Sequence, residues 1–251
     1  MRPDPELRPD SLMQKIRSAR QSDASFRRAH RTVQIIMASW AVIVVLDRLI
    51  GLVSHSYTGS SLPFALAGGA VLVGIALTLP ISSAAICAAL GLTGLAGGAA
   101  VAGCCANMVG FAVLSFRENR WGGLVSQGIG TSMLQMPNIV KNPRIWLPAI
   151  LTSAVTGPLA TCVFRLEMNG DPINSGMGTC GLCGQLGVWT GWVNPSETAL
   201  ANGAAAIAPS AFDWAGLILI SFVLPAVLTW VFGLFFRKIG WIKEGDLTLP
   251  Q

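Results

Sequence analysis

QGIGTSMLQMPNIVKNPRIW, residues 127–146, interrupts a chain that is otherwise strongly apolar. The stretch is rich in glycine, hydroxyls and amides, and it ends in the basic loop Lys141-Asn-Pro-Arg144. It suits neither a lipid-facing helix nor a soluble core, so its meaning depends on its flanks. Of 251 residues, 52% are hydrophobic and only 12% charged, about half the charged share usual in a soluble domain. Mean hydropathy is +0.59. The charges are segregated, which leaves four mostly apolar runs: Val33–Val53, Leu62–Leu79, Ile145–Phe164 and Ala215–Phe236. Each is long enough, at roughly 18 residues or more, to cross a bilayer as a helix. A fifth block, Ile81–Phe116, is longer than one span needs. The expected fold class is an all-α integral membrane protein, a multi-span helical bundle.

Residues 1–32 hold eight Lys/Arg and four Asp/Glu and are expected to form a basic cytoplasmic tail ahead of a membrane domain over 33–251. The first apolar run follows a long polar tail and lacks a small-residue cleavage site, so it reads as a retained helix rather than a cleaved signal. The tail also suits a helix lying on anionic membrane lipid. The net charge of +5 speaks to orientation and lipid; nothing in the pattern of basic and aromatic residues points to nucleic acid. Asp47-Arg48 lies in the first run, about five residues from its outer end, where an ion pair snorkels to the interface. Six cysteines lie in apolar or glycine-rich sequence. Cys180-Gly-Leu-Cys183 has a spacing used in redox and metal sites, but the two histidines, His30 and His55, lie far away in the sequence. Packing is the preferred reading for these thiols, and no cofactor or metal is expected.

Cytoplasmic loops collect Lys and Arg. With the tail inside, Leu62–Leu79 returns inward, and Ser115-Phe-Arg-Glu-Asn-Arg120 and Lys141-Asn-Pro-Arg144 both lie inside. The 81–116 block should therefore turn midway, around Gly97-Gly98. The 127–146 stretch, basic on both flanks, should dip in from the cytoplasm and return. Residues 165–213 carry Arg165 against Glu167, Asp171, Glu197 and Asp213 and read as outside. The last run returns to Arg237, Lys238 and Lys243, so both termini are cytoplasmic and the protein is multi-pass in the cell membrane.

The outer region contains a second glycine-rich break, Gly176-Met-Gly-Thr-Cys-Gly-Leu-Cys-Gly-Gln185. It and Gly128-Ile-Gly-Thr-Ser-Met-Leu-Gln135 both begin Gly-x-Gly-Thr, and both carry a glutamine a few residues on. Irregular backbone at membrane depth is tolerated where protein buries it or water reaches it. Opposed broken segments meeting near the midplane are how secondary transporters build a substrate site. Candidate substrate contacts are therefore Thr131, Ser132, Gln135, Asn138, Thr179 and Gln185. Gly128, Gly130, Gly176 and Gly178 would permit close backbone approach. Amides and hydroxyls without buried charge suit a neutral polyhydroxylated ligand such as a sugar. Arg117 and Glu118 are candidates for gating or for meeting a partner.

Leu79-Pro-Ile-Ser-Ser-Ala-Ala-Ile86, Gly103-Cys-Cys-Ala106, Ser115-Phe-Arg-Glu-Asn-Arg120, Gly130-Thr-Ser-Met-Leu-Gln135, Pro137-Asn-Ile139, Gly157-Pro158 and Gly176-Met-Gly-Thr179 occur in one order along the chain. In these motifs the sequence resembles a bacterial membrane family, the EIIC-like proteins of the phosphotransferase system, some of which are described as toxin regulators. The resemblance covers roughly residues 62 to 251 and does not extend to 1–61. It implies a permease subunit that moves a sugar or sugar alcohol and works with a separate EIIB-type phosphocarrier. It also implies no phosphoacceptor residue of the chain's own, and a homodimer. A membrane sensor or regulator built on a vestigial transporter fold is the alternative, and a thiol or metal protein centred on Cys180 and Cys183 a third.

Overall fold

A computed structural model describes residues 62–79 and 82–249. The expected basic tail, the Val33–Val53 helix and Asp47-Arg48 lie outside the described residues. Helix α1 spans Leu62–Thr78, α2 Ser83–Ala89, α3 Gly94–Leu114, α4 Phe116–Val125 and α5 Met136–Lys141. Helix α6 runs Pro143–Val163, α7 Cys183–Val193, α8 Glu197–Ala201 and α9 Ala211–Lys238. No strand forms among the described residues; one isolated bridge joins Gly94 and Met168. Helices α3, α6 and α9 are long and apolar enough to cross a membrane, and the protein is an all-α membrane protein.

Helix α3 is the axis. Nearly all of its residues from Gly97 onward are buried, and small side chains dominate it. In a bilayer, apolar burial does not drive helices together; close van der Waals packing does, and small residues permit it. A Cβ on Gly103 would collide with the Ala70 carbonyl of α1, one on Gly98 with the Leu166 carbonyl, and one on Gly110 would come within 2.7 Å of Thr229 Oγ1 of α9. These contacts correct one expectation. Gly97-Gly98 is not a turn but part of an unbroken helix, its missing side chains filled by the chain at 166–168 and by Ser175. The chain reverses earlier, at Leu90–Thr93, where Gly91 has φ +60°.

Contacts along α3 set the direction of its neighbours. Trp146 Nε1 donates to Asn107 Oδ1 at 2.9 Å, while Ala160 packs beside Val101 and Ala102, so α6 runs antiparallel to α3. Leu217 and Ile220 pack near Val101, whereas Gly233 meets Leu114, so α9 runs parallel. Arg117, Arg120, Arg237 and Lys238 thus gather at the Leu114 end of α3. Glu167 and Asp171 flank Met168, which bridges to Gly94 at the other end. Within α9 a wide helical turn, Leu219–Val223, precedes Pro225, which has no N–H to give the Ser221 carbonyl. The similar wide turn Leu159–Val163 follows Pro158.

Candidate functional site

The stretch 127–146 folds as two limbs. Helix α4 continues through a wide turn, Ser126–Gly130, and the chain becomes extended at Thr131 (φ −157°, ψ 140°). A tight turn, Ser132–Gln135, then feeds α5, where Pro137 occupies the first turn without sacrificing a hydrogen bond. Both limbs reach the same place. Asn119, before the stretch, and Asn138 and Asn142, near its end, all bind the C-terminal segment 241–249.

That segment lies along a row of amides. Leu247 O accepts from Asn119 Nδ2 at 2.7 Å and from Gln135 Nε2 at 3.0 Å. Thr248 O accepts from Asn138 Nδ2 at 2.8 Å. Asn142 Nδ2 donates to Trp241 O at 3.0 Å and Asp246 Oδ2 at 2.8 Å, and Leu249 N donates to Asn119 Oδ1 at 2.8 Å. The amides also bind one another: Gln135 Nε2 donates to Gln127 Oε1 at 2.9 Å, and Asn138 Nδ2 to Gln135 Oε1 at 2.8 Å. Leu247 inserts, fully buried, among Phe111, Ile139, Ile145 and Phe236. The amides thus satisfy backbone that would otherwise be buried without partners.

Ser132 belongs to a second group. Its hydroxyl lies 2.9 Å from Thr78 Oγ1. Thr78 also reaches Asn107 Oδ1, and Asn107 Nδ2 donates to Gly103 O at 3.0 Å and Ser153 Oγ at 3.2 Å. This chain of buried polar groups ties α1, α3 and α6 together. Thr131 Oγ1 accepts from Met133 N at 3.2 Å and caps the tight turn.

Thr179 and Gln185 lie in the second glycine-rich break. Thr179 Oγ1 donates to Gly128 O at 2.5 Å, so the two Gly-x-Gly-Thr strings meet, beside Met108 near the middle of α3. Gln185 Nε2 reaches Cys105 Sγ at 3.2 Å, and its Oε1 is buried with no partner among the described residues. Gln135 and Asn138 are brought together, as are Thr179 and Gly128, whereas Gln185 faces Cys105 away from the amide row. The four glycines differ too. An added Cβ on Gly176 would come within 2.5 Å of Ser83 O, and one on Gly178 within 2.6 Å of Cys104 Cβ; at Gly128 it would only touch Ala112, and at Gly130 it would meet open space.

Glu118 pairs with Arg237, Nη2 to Oε1 2.9 Å, and not with Arg117; the two side chains are 8% and 14% exposed. Arg237 also donates to Leu114 O at 3.1 Å, and Glu118 Oε2 is buried without a partner among the described residues. Arg117 is exposed beside a cavity of about 210 Å³ bordered by Leu114, Trp230 and Arg237. The described cysteines are all free thiols, Cys180 and Cys183 included. Among the described residues no three His, Cys, Asp or Glu side chains gather as metal ligands.

Several residues of these groups were not singled out in the sequence. Asn107 is the one amide in a long apolar helix, a signal open to reading. Asn119, Asn142 and the tail were hidden, because the tail contributes backbone carbonyls, which every residue has.

Long apolar helices packed around α3, with interrupted polar segments meeting beside it and a buried polar network, define a helical membrane protein. The chain belongs to the EIIC family of the phosphotransferase system, whose family description, "Phosphotransferase system, EIIC", matches residues 31–249. The match extends upstream of the resemblance seen from residue 62 and takes in the apolar run Val33–Val53. Neither a curated protein nor a solved structure matches the chain. As an EIIC domain it is the permease component of a phosphotransferase system. An EIIC domain implies a sugar substrate and partner proteins of the same system, such as EIIB.

Proposed function

We propose that the chain carries an uncharged sugar or sugar alcohol past the junction of its two Gly-x-Gly-Thr segments. One segment enters from the cytoplasm and the other from outside, with both termini cytoplasmic. The observation that carries this reading is the contact between Thr179 and Gly128, which joins the two breaks beside α3. The sorting of basic residues to the Leu114 end supports the orientation. Around the junction, the hydroxyls of Thr131, Ser132 and Thr179 are engaged within the protein and reach substrate only when those bonds exchange, while Gly130 leaves open space and Gln185 holds an unused acceptor. Gln135 and Asn138 are substrate contacts only when the C-terminal segment yields their amides. An EIIB-type partner meets the basic end, near Arg117, and supplies the phosphoryl group that the chain itself does not hold.

The test is a thermal-shift screen of the detergent-purified protein against sugars, sugar alcohols and small acids. A ligand at about 100 times its Kd stabilises the folded state by about 2.7 kcal/mol. Stabilisation by a sugar or sugar alcohol is the expected result. Stabilisation by acids alone, or by nothing in the panel, would overturn the neutral-substrate reading. Binding without uptake in liposomes would favour the sensor alternative.

A further inference from the structure

The polar groups already described at the basic end and within the bundle are largely engaged with one another. A different set is not. Between the Asp171 loop and helix α7 lies a cavity of about 490 Å³, within the size range of small-ligand sites. Cys183, Leu186, Thr190 and Asn194 line one wall. Their spacing of three, four and four residues puts them along one side of the helix and its C-terminal end. Asp171 and Asn174 form the opposite wall. The loop packs tightly onto the helix, for a Cβ on Gly187 would come within 2.6 Å of Asn174 Cβ. The side chains of Asp171, Asn174 and Asn194 make no hydrogen bond to another described residue, and Asp171 and Asn194 are exposed. They converge on one space with their bonding capacity unused.

The chemistry selects the ligand. A carboxylate has two acceptor oxygens and can take hydrogen bonds from two neighbouring hydroxyls, while an amide both donates and accepts. Leu186 and Pro195 supply apolar surface for the C–H face of a ring or polyol chain. No Lys or Arg lines the cavity, so a phosphate group would face Asp171 uncompensated. The cavity flanks the second glycine-rich break, since α7 begins at Cys183, within the last residues of that break. It lies toward the Gly94 end of α3, and the 21 residues of that helix place the basic end about 30 Å away.

We propose that this crevice is an uptake subsite for the uncharged sugar on the side remote from the C-terminal segment. Asp171 binds a pair of adjacent hydroxyls there, and Asn174 and Asn194 bind others. The same subsite rejects the phosphorylated product. The proposal rests on the sugar-permease reading.

Cys183, half-buried in the wall, is a built-in reporter. The full chain is treated in detergent with N-ethylmaleimide, alone or with glucose, galactose, mannitol or galactitol, and the modification of each cysteine is followed by peptide mass spectrometry. The probe that stabilises the protein should slow labelling of Cys183 several-fold and leave that of the exposed Cys162 unchanged. Asp171→Asn and Asn194→Ala should each weaken the binding of that probe about tenfold, with the Tm of the ligand-free protein unchanged. The 6-phosphate of glucose or galactose should protect Cys183 less than the free sugar does. If a probe stabilises the protein equally in wild type and both variants, and Cys183 is not protected, the subsite is wrong and the permease reading stands. If none of the probes stabilises the wild type, the substrate reading fails for them and the subsite fails with it.

Discussion

Gly178→Ala asks whether the junction of the two breaks is held by backbone fit. Gly178 has φ +54°, and its missing Cβ would lie 2.6 Å from Cys104 Cβ and 2.9 Å from the Cys104 carbonyl carbon. An L-residue in the left-handed region costs about 1–2 kcal/mol, and forcing an added methyl into packed structure costs about 1–3 kcal/mol. Together these give a loss of about 2–5 kcal/mol. For a chain of this size each kcal/mol moves Tm by about 2–4 °C, so the drop should be on the order of 4–20 °C. Relief requires Gly178 to move away from α3, and that carries Thr179 off the Gly128 carbonyl. Gly130→Ala is the matched control, because nothing lies within 4 Å of its Cβ position and its φ is not positive. Such a change should stay within about 0.5 kcal/mol. Thermal unfolding of both variants, followed by tryptophan fluorescence in one detergent, decides the matter. If Gly178→Ala is as stable as Gly130→Ala, the close approach of the second break to α3 is refuted.

Arg237→Met should destabilise the protein by about 3–5 kcal/mol, because it strands the buried Glu118 carboxylate; adding Glu118→Gln should recover most of the loss in the same unfolding assay. Leu247→Ala should cost about 2–5 kcal/mol, since Leu247 fills a closed apolar cluster. Gln135→Ala or Asn138→Ala should loosen the C-terminal segment and speed tryptic cleavage after Lys243, while expression stays intact and sugar binding weakens. Unchanged cleavage would deny the amides their hold on the tail. Replacing Cys180 with serine, which breaks the Cys-x-x-Cys pair and leaves the Cys183 wall intact, should leave folding and sugar binding in place; loss of binding would revive a thiol function.

How much was legible follows from what each residue does. The runs at 62–79, 145–164 and 215–236 were readable because a helix in lipid must be apolar for nearly its whole length; they appear as Leu62–Thr78, Pro143–Val163 and Ala211–Lys238. Gly97-Gly98 misled because glycine signals both a turn and a tight helix contact, and only the Leu166 carbonyl lying against it distinguishes them. The two Gly-x-Gly-Thr strings were legible as a pair, and they do touch. The partner of Gln135 and Asn138 was not legible, because a carbonyl of a distant segment leaves no mark in the sequence. Nor was the pairing of Glu118 with Arg237, which lie 119 positions apart. The Asp171 crevice escaped notice because its side chains are dispersed over an ordinary polar loop and one side of a helix.

Vectorial uptake is the defining activity of a phosphotransferase permease, and it can be measured in liposomes. The full chain is reconstituted in liposomes with a phosphorylated EIIB-type carrier on its basic side, and a radiolabelled sugar that binds in the thermal screen is offered on the other. Labelled sugar should cross and accumulate as its phosphate only when the phosphorylated carrier is present. Sugar that binds tightly but never crosses, with the carrier present and competent, would contradict the proposed transport.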